Sequence, residues 1–143
     1  MGAVMPEALA AHHELSADIP GLGLLAITSP DLLHRGWAAA QAARWKNPPR
    51  NGEGDHAQHG GGGPSHIEHL LSKLAPGAGL VTLCDAAPAS LSWLGGVLGQ
   101  RVAPLGVDRF GQTGNLADLY AAYRLDGAAI TDAAAEILLQ NGH

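Results

Sequence analysis

Four histidines are the side chains of this sequence best suited to bind a metal ion, because His56, His59, His66 and His69 form two H-x-x-H pairs. Imidazole nitrogens bind zinc when four donors converge in a closed tetrahedral site. The first pair lies in a glycine-rich loop that gives it no fixed geometry, and the second lies on the exposed side of a short predicted helix. We therefore expect no metal bound by this chain. A metal-dependent protein that uses these histidines is kept as an alternative hypothesis.

A second group of polar side chains follows the last predicted strand, in the glycine-punctuated loop DRFGQTG of residues 108–114. Ligands of open α/β sheets bind outside the carboxyl ends of the strands, and this loop would place an acid, a guanidinium, an amide and a hydroxyl there. The candidate residues for a ligand or domain contact are Asp108, Arg109, Phe110, Gln112 and Thr113. The alternative is a structural turn anchored by the phenylalanine.

The sequence signals for a catalytic nucleophile are weaker than those for the two groups above. No G-x-S-x-G elbow surrounds Ser90 or Ser92. Cys84 lies inside a predicted core strand, where a thiol is usually buried, protonated and inert. We therefore assign no catalytic residue to this chain.

Composition and charge restrict the possible partners. The 143 residues are 46% apolar and 15% charged, which is enough for one hydrophobic core. A net charge of -5 with only 8 Lys plus Arg argues against nucleic acid, and no stretch approaches the ~18 apolar residues that a membrane span needs. The single Cys84 cannot form an internal disulfide and the first residues do not resemble a signal peptide, so a cytoplasmic location is expected.

Helical and strand-like segments alternate along the chain, a pattern typical of an α/β protein with a parallel sheet covered by helices. The predicted strands are 21–28, 79–84 and 101–107. The predicted helices are 6–15, 30–44, 66–74, 89–98, 116–123 and 127–139, of which the third begins with the capping box of Ser65 and Glu68 and the fifth with an Asn115 cap. Between them, a flexible insertion rich in Gly and His is predicted at about residues 46–64.

The predicted helix at residues 89–98 (ASLSWLGGVL) is apolar on nearly every side. A helix without a polar face must be covered on several sides, by its own domain or by a partner. We therefore expect a subunit or domain interface near Trp93 and Leu94.

Five stretches carry a resemblance to a known family: GAVMPEALAA, ITSPDLLHRGWAAAQAAR, SHIEHLL, VTLCDAAPASLSWLGGVLG and RVAPLGVDRFGQTGNLADLYAAYRLDGAAITDAAAEIL. In order and spacing they resemble the carboxyl-terminal domain of the thiamin diphosphate enzymes of the transketolase superfamily. The homodimeric pyruvate dehydrogenases, the decarboxylating components of 2-oxo acid dehydrogenase complexes, are the most similar. The resemblance covers nearly the whole chain except residues 46–64, and its most specific stretch is 106–123.

The resemblance implies a single transketolase carboxyl-terminal-like domain over residues 1–143. Its fold would be a three-layer sandwich, in which a mixed five-stranded sheet, with four strands parallel and one antiparallel, lies between helices. It also implies that this chain starts partway through the first strand. The sequence departs from the family pattern after Asp85, where members often carry a His and this chain has Ala86, Ala87 and Pro88.

The function that the resemblance implies is non-catalytic. Thiamin diphosphate and magnesium would bind in the remaining domains or subunit of the enzyme, which carry the GDG-type signature and the activating Glu that this sequence lacks. This chain would support those domains, contribute to a homodimer and offer a regulatory site. The parent enzyme would decarboxylate a 2-oxo acid such as pyruvate and pass the acyl unit to lipoamide, or move a two-carbon ketol unit between sugars. The alternative is a free-standing α/β module that binds a small anionic metabolite through Arg109, Gln112 and Thr113.

Overall fold

The computed structural model of the chain describes residues 3–46, 63–109, 111 and 113–141. It is a mixed α/β structure, in which helices accompany a two-stranded parallel sheet. The elements in chain order are α1 (Met5–Leu15), α2 (Pro30–Lys46), α3 (His66–Leu71), β1 (Leu80–Leu83), α4 (Ala89–Ser92), α5 (Gly95–Leu98), β2 (Val102–Leu105), α6 (Leu116–Ala122) and α7 (Gly127–Asn141). Within the described ranges, no helix combines the length and the hydropathy that crossing a membrane requires.

The chain divides into two compact units. The first combines Met1–Thr28 with Pro76–His143 and contains α1, the sheet and α4 to α7. The second is Ser29–Ala75 and contains α2 and α3, which pack on each other.

The sheet is a βαβ unit in which α4 and α5 connect two parallel strands. The register pairs Leu80 with Val102 at one end and Leu83 with Leu105 at the other. The Leu80 amide donates to the carbonyl of residue 101 at 2.8 Å, and the amide of residue 84 donates to the Leu105 carbonyl at 3.1 Å. Because backbone groups alternate along a strand, the odd-numbered residues of β2 face β1 and the even-numbered residues face the other edge.

Pro104 occupies one of those even-numbered positions. A proline has no amide hydrogen, and here the missing donor would have pointed away from β1, so the β1 ladder loses nothing. The position of this proline fits an edge strand.

Helix α7 covers the sheet and packs on α1 as well as on both strands. Its buried face is mostly alanine, which lets neighbouring elements approach closely. At the start of β1, a side chain on Gly79 would overlap the side chain of Ile137. The apolar core of the first unit consists of Val4, Ala11, Cys84, Leu91, Leu94, Val97, Leu125, Ala129, Ile130, Ala133, Ala134 and Ile137.

Polar contacts join α1 and the residue pair before it to α6 and α7. The Glu7 carboxylate accepts a 3.1 Å hydrogen bond from the amide of Gly127, the first residue of α7. That amide has no partner within its own helix, and a carboxylate is favoured at the positive end of a helix dipole. The Tyr120 hydroxyl donates to the Ala3 carbonyl at 2.7 Å, which fixes the entry to α1 near α6.

The strand predicted at residues 21–28 is wrong. The structure has no strand there, and Leu24 and Leu25 are 43% and 49% exposed. A short apolar run does not by itself form a strand, since a strand also needs a neighbour to pair with its backbone groups. The segment starts at Gly21 in a left-handed conformation (φ 82°) and continues as an irregular stretch.

The single helix predicted at residues 89–98 is also wrong, because the structure has two short helices there. The chain tightens between them, where the amide of Leu94 bonds to the Leu91 carbonyl and that of Gly96 to the Trp93 carbonyl, each three residues back. Consecutive glycines at 95 and 96 lower the local helix propensity. The absence of a side chain at Gly95 also makes room for Val102 of β2.

The other predicted elements are confirmed, with boundaries that differ by one to three residues. The predicted insertion lies largely in residues 47–62, outside the described residues, as do Met1 and Gly2 of the predicted truncated strand. Ala3 and Val4 form a turn. The single domain and the five-stranded three-layer arrangement stay predictions.

Gly106 gives the first test of this packing. A side chain there would collide with the Ala86 carbonyl oxygen and would lie 2.8 Å from the Pro88 nitrogen. We expect Gly106→Ala to lower the free energy of unfolding by about 1–3 kcal/mol, since both neighbours are backbone and cannot rotate away. Urea denaturation measures this.

Gly23→Ala is the matched control, because no atom lies within 4 Å of the added methyl group and the residue is exposed. We expect it to be within about 0.5 kcal/mol of the parent chain. Equal stability of the two variants would show that the strand ends are not closely packed.

Candidate functional site

The loops that follow β1 and β2 meet at the carboxyl end of the sheet. The Val107 amide donates to the Ala86 carbonyl at 2.9 Å, and Gly106 is buried against Pro88. Pro88 directly precedes α4, so this contact also sets where the helix begins. The loop that the sequence predicts as a binding site therefore begins next to residues that these contacts hold in place.

Cys84 is at the same end of the sheet and is 2% exposed. Its Sγ lies 3.4 Å from the carbonyl oxygen of Ala86 and 3.6 Å from that of Ala87, and its single S–H donates to this loop. The prediction that this thiol is buried is confirmed, and its contacts give it a structural role in shaping the loop.

The charged residues of the predicted site are at the surface. The side chains of Asp108 and Arg109 are each 64% exposed, and the Arg109 Nε lies 3.5 Å from the Asp108 Oδ1. An ion pair between exposed neighbours in sequence is screened by water and contributes little to stability. Thr113 is exposed, and Phe110 and Gln112 lie outside the described residues. The structure thus places two accessible charges at the strand ends.

The loop ends in a well-formed helix start. The Asn115 side chain accepts a hydrogen bond from the Asp118 amide at 2.9 Å, and its Nδ2 donates to the Asp118 carboxylate at 2.8 Å. The cap that the sequence predicts is confirmed. Both ends of the candidate loop are therefore fixed, one by Gly106 and the other by Asn115.

The two residues of the predicted interface differ in exposure. Leu94 is 4% exposed because its own chain covers it, whereas Trp93 is half-buried. A partner at this position would therefore contact Trp93 rather than Leu94, and the interface itself stays a prediction.

Of the two histidine pairs, only His66 and His69 are among the described residues. His66 and His69 are exposed on α3, while His56 and His59 lie outside the described residues. Of the side chains that the structure describes, no three from His, Cys, Asp and Glu are placed to hold one metal ion.

Among the described residues, Glu68 in the second unit is a buried charged side chain. It is 8% exposed, and its carboxylate accepts hydrogen bonds from the Ser65 amide and hydroxyl, each at 2.7 Å. The Arg44 Nη2 donates to the other carboxylate oxygen at 2.6 Å. The capping box is confirmed, while the arginine was not foreseen because it comes from α2, far away in sequence.

These contacts set the acidity of Glu68. Burial raises the pKa of the carboxyl, but the Ser65 hydrogen bonds and then the hydrogen bond and charge of Arg44 lower it more, so its pKa lies below the usual 4.5. The folded state therefore favours the carboxylate. The associated stability is complete above about pH 4.5 and is lost as the pH falls through the folded-state pKa.

A groove beside β2 was not predicted. Arg101 and Arg124 line it together with residues of α7. These residues are far apart in sequence and belong to different elements, so neither spacing nor motif signals that they meet.

Comparison with protein-family models, with curated proteins and with solved structures finds no match for this chain.

Glu68→Gln tests the Arg44 contact. The amide keeps the size of the side chain but loses the charge-assisted hydrogen bonds, so we expect about 1–2 kcal/mol less stability at pH 7. The difference should shrink as the pH falls below about 4.5 and through the lowered pKa of the native carboxyl. Urea denaturation monitored in the second unit, with Trp37 and Trp45 as fluorophores, measures both effects.

The exposed Glu14→Gln serves as control and should leave stability nearly unchanged throughout this pH range. If Glu68→Gln lost no more stability than the control at neutral pH, the account of the buried carboxylate would be refuted.

Proposed function

We propose that this chain is a non-catalytic structural and dimerisation domain of a thiamin diphosphate enzyme of the transketolase superfamily. It would act as an excised domain or as a separate subunit, with a pyruvate dehydrogenase as the nearest parent enzyme. The element order supports this proposal, because β2 is followed by a glycine-containing loop and then by α6, the order of strand, loop and helix that the resemblance implies for residues 106–123. In the complete fold, the sheet would have five strands between helical layers, and the protein would be cytoplasmic.

The observation that carries the proposal is the local structure of residues 106–123, the stretch with the most specific resemblance. Strand β2 ends at Leu105, Gly106 packs against Pro88 and Asn115 caps α6. Three residues of GVDRFGQTGN thus have a physical role: close approach at Gly106, a positive φ at Gly111 and the helix cap at Asn115.

The proposal assigns thiamin diphosphate and magnesium to the remaining domains of the enzyme. This assignment comes from the resemblance, in which the GDG-type signature and the activating Glu belong to those other domains. The contribution of this chain would be to hold the other domains and a second copy in place.

The first unit has exposed apolar side chains that a partner could cover. Leu98, Leu116 and Leu139 are 48%, 62% and 76% exposed, in addition to the half-buried Trp93. Large apolar side chains at a surface often mark a contact with another chain when they cluster. A structural subunit would use such side chains against its parent enzyme.

A free-standing module that binds a small anionic metabolite is the second candidate. It is favoured by the Arg109 side chain, which is 64% exposed at the carboxyl end of the sheet and lies within ion-pair distance of Asp108 alone among the described residues. An anion could displace that weak contact without disturbing the fold.

Isolation of the tagged chain from its source cells at low salt, followed by native mass spectrometry, tests the main proposal. We expect a complex with a polypeptide that binds thiamin diphosphate and carries the missing domains. Its 2-oxo acid decarboxylation or ketol transfer should depend on this chain. A chain isolated alone would contradict the subunit hypothesis and favour an excised fragment or the binding module.

Trp93→Ala should weaken that complex, since it removes the exposed part of a predicted contact. Trp45→Ala is the matched control, because Trp45 is 84% exposed in the second unit and is not part of the predicted interface. Equal loss of the partner in both variants would refute the interface at Trp93.

A further inference from the structure

Strand β1 has an unpaired outer edge. In the part of the chain that the structure describes, it pairs with β2 along one edge and with no strand along the other. The amides of Leu80 and Cys84 donate to residues 101 and 105, so the backbone groups of the odd-numbered residues point the opposite way. No described residue forms a hydrogen bond with the backbone amide or carbonyl of Val81 or Leu83. Four backbone groups are thus free to pair with another strand.

The sequence of β1 does not protect this edge. The strand is LVTL, without a proline or a charged side chain, whereas natural edge strands often carry one of these to prevent pairing. The outer edge of β2 differs, because Pro104 provides no donor there. Of the two edges of the sheet, that of β1 is therefore the one suited to an added strand.

Thr82, in the middle of β1, is a buried polar residue that lacks a partner. It is 7% exposed, and its Oγ1 forms no hydrogen bond with any described residue. Buried polar groups in proteins are normally hydrogen-bonded, because an unpaired one has lost its contact with water and gained nothing in return. The Thr82 hydroxyl therefore points to a contact that a single chain does not provide.

A second copy of β1 satisfies both the free edge and the hydroxyl. If two copies pair antiparallel about a twofold axis at Thr82, Val81 of each copy lies opposite Leu83 of the other, and each of these pairs exchanges two hydrogen bonds. The two Thr82 residues then form the pair without backbone hydrogen bonds, in which the Cα atoms are about 4.5 Å apart. Threonine hydroxyls opposite each other can hydrogen-bond across the strands. One symmetric register thus uses all four backbone groups and the unpaired hydroxyl.

Charge and symmetry also suit this pairing. Each chain carries a net charge of -5, but none of the residues that would lie opposite each other, 80 to 84, is charged. The product is a continuous four-stranded sheet, whereas a two-stranded sheet is marginally stable by itself. A twofold contact closes on itself, and Pro104 at both outer edges then opposes further strand addition.

We propose that this chain forms a homodimer in which β1 pairs antiparallel with β1 of a second copy, with Thr82 on the twofold axis. The proposal goes beyond the proposed function, which places a contact at Trp93 and assigns no strand edge. It does not depend on a thiamin enzyme, and a parent enzyme that covered this edge would compete with the second copy. The paired strands are short, so we expect a weak dimer with a dissociation constant on the order of 10 µM.

Disulfide trapping in the full chain tests the register. Thr82→Cys, oxidised with diamide at a concentration where the dimer forms, should give a link between the two residues 82. The expected Cα separation of about 4.5 Å lies within the range that a disulfide spans. Peptide mapping by mass spectrometry identifies the linked residues.

Leu83→Cys is the matched control, because the two copies of residue 83 lie on either side of the axis and are too far apart to be linked. Cys84 is present in both variants and is likewise not opposite its own copy. Absence of the link at residue 82, or an equal yield at residue 83, would overturn the proposal.

Two proline variants test the edge by analytical ultracentrifugation. Val81→Pro removes a donor from the outer edge of β1 and Val102→Pro removes one from the outer edge of β2, and neither amide belongs to the β1–β2 ladder. We expect Val81→Pro to dimerise at least about tenfold more weakly than the parent chain, and Val102→Pro to dimerise as the parent does. Circular dichroism checks that each variant is folded. A monomeric parent chain, or equal dimerisation of both variants, would refute the β1 edge as the interface.

Thr82→Val keeps the shape of the side chain and tests the hydroxyl without altering the backbone. We expect it to raise the dissociation constant of the dimer about two- to tenfold, the loss of one hydrogen bond, without lowering the stability of the monomer to urea. An unchanged or tighter dimer would contradict the placement of Thr82 on the axis.

Discussion

The close approach of the two loops at the carboxyl end of the sheet is the constraint on which the rest of the first unit depends. Gly106 has backbone atoms of Ala86 and Pro88 where a side chain would otherwise be. The Val107 amide and the Cys84 thiol both donate to carbonyls of the same loop. With this end closed, the strands are fixed in register and α4 starts directly after the contact.

The first unit also depends on helix α7, which packs on the two-stranded sheet and covers its apolar side chains. Its alanines and Ile137 let it lie close to α1 and to the start of β1, where Gly79 has no side chain. The Glu7 carboxylate bonds to the first amide of α7, so α1 and α7 are joined by a polar contact as well as an apolar one. The same packing leaves a groove lined by residues of β2 and α7.

Local signals in the sequence predicted much of this structure. The Ser65 capping box and the Asn115 cap each depend on a few adjacent residues, and both were confirmed. The break between α4 and α5 was missed because apolar character was given more weight than the glycines at 95 and 96. The segment at residues 21–28 was mistaken for a strand because pairing depends on a distant neighbour that its own residues do not specify.

The candidate sites also divide into those that local sequence signals predict and those that depend on contacts between distant residues. The buried Cys84 and the charged loop after β2 could be located from the sequence, since both depend on the position of a strand. The Arg44 contact with Glu68 and the meeting of Arg101 with Arg124 depend on tertiary packing between elements. Arg44 and Glu68 are 24 residues apart, and Arg101 and Arg124 are separated by α6, so no spacing rule in the sequence relates the members of either pair.

Hydrogen exchange of the full chain, resolved by residue, most directly tests the claim that the β1–β2 pair is the centre of the first unit. We predict that the amides of Leu80 and Cys84 and that of Val107, all bonded across this pair or its loops, exchange among the slowest in the chain. The amides of residues 23–28, which form no strand, should exchange far faster. Equal exchange rates in these two groups would contradict the account.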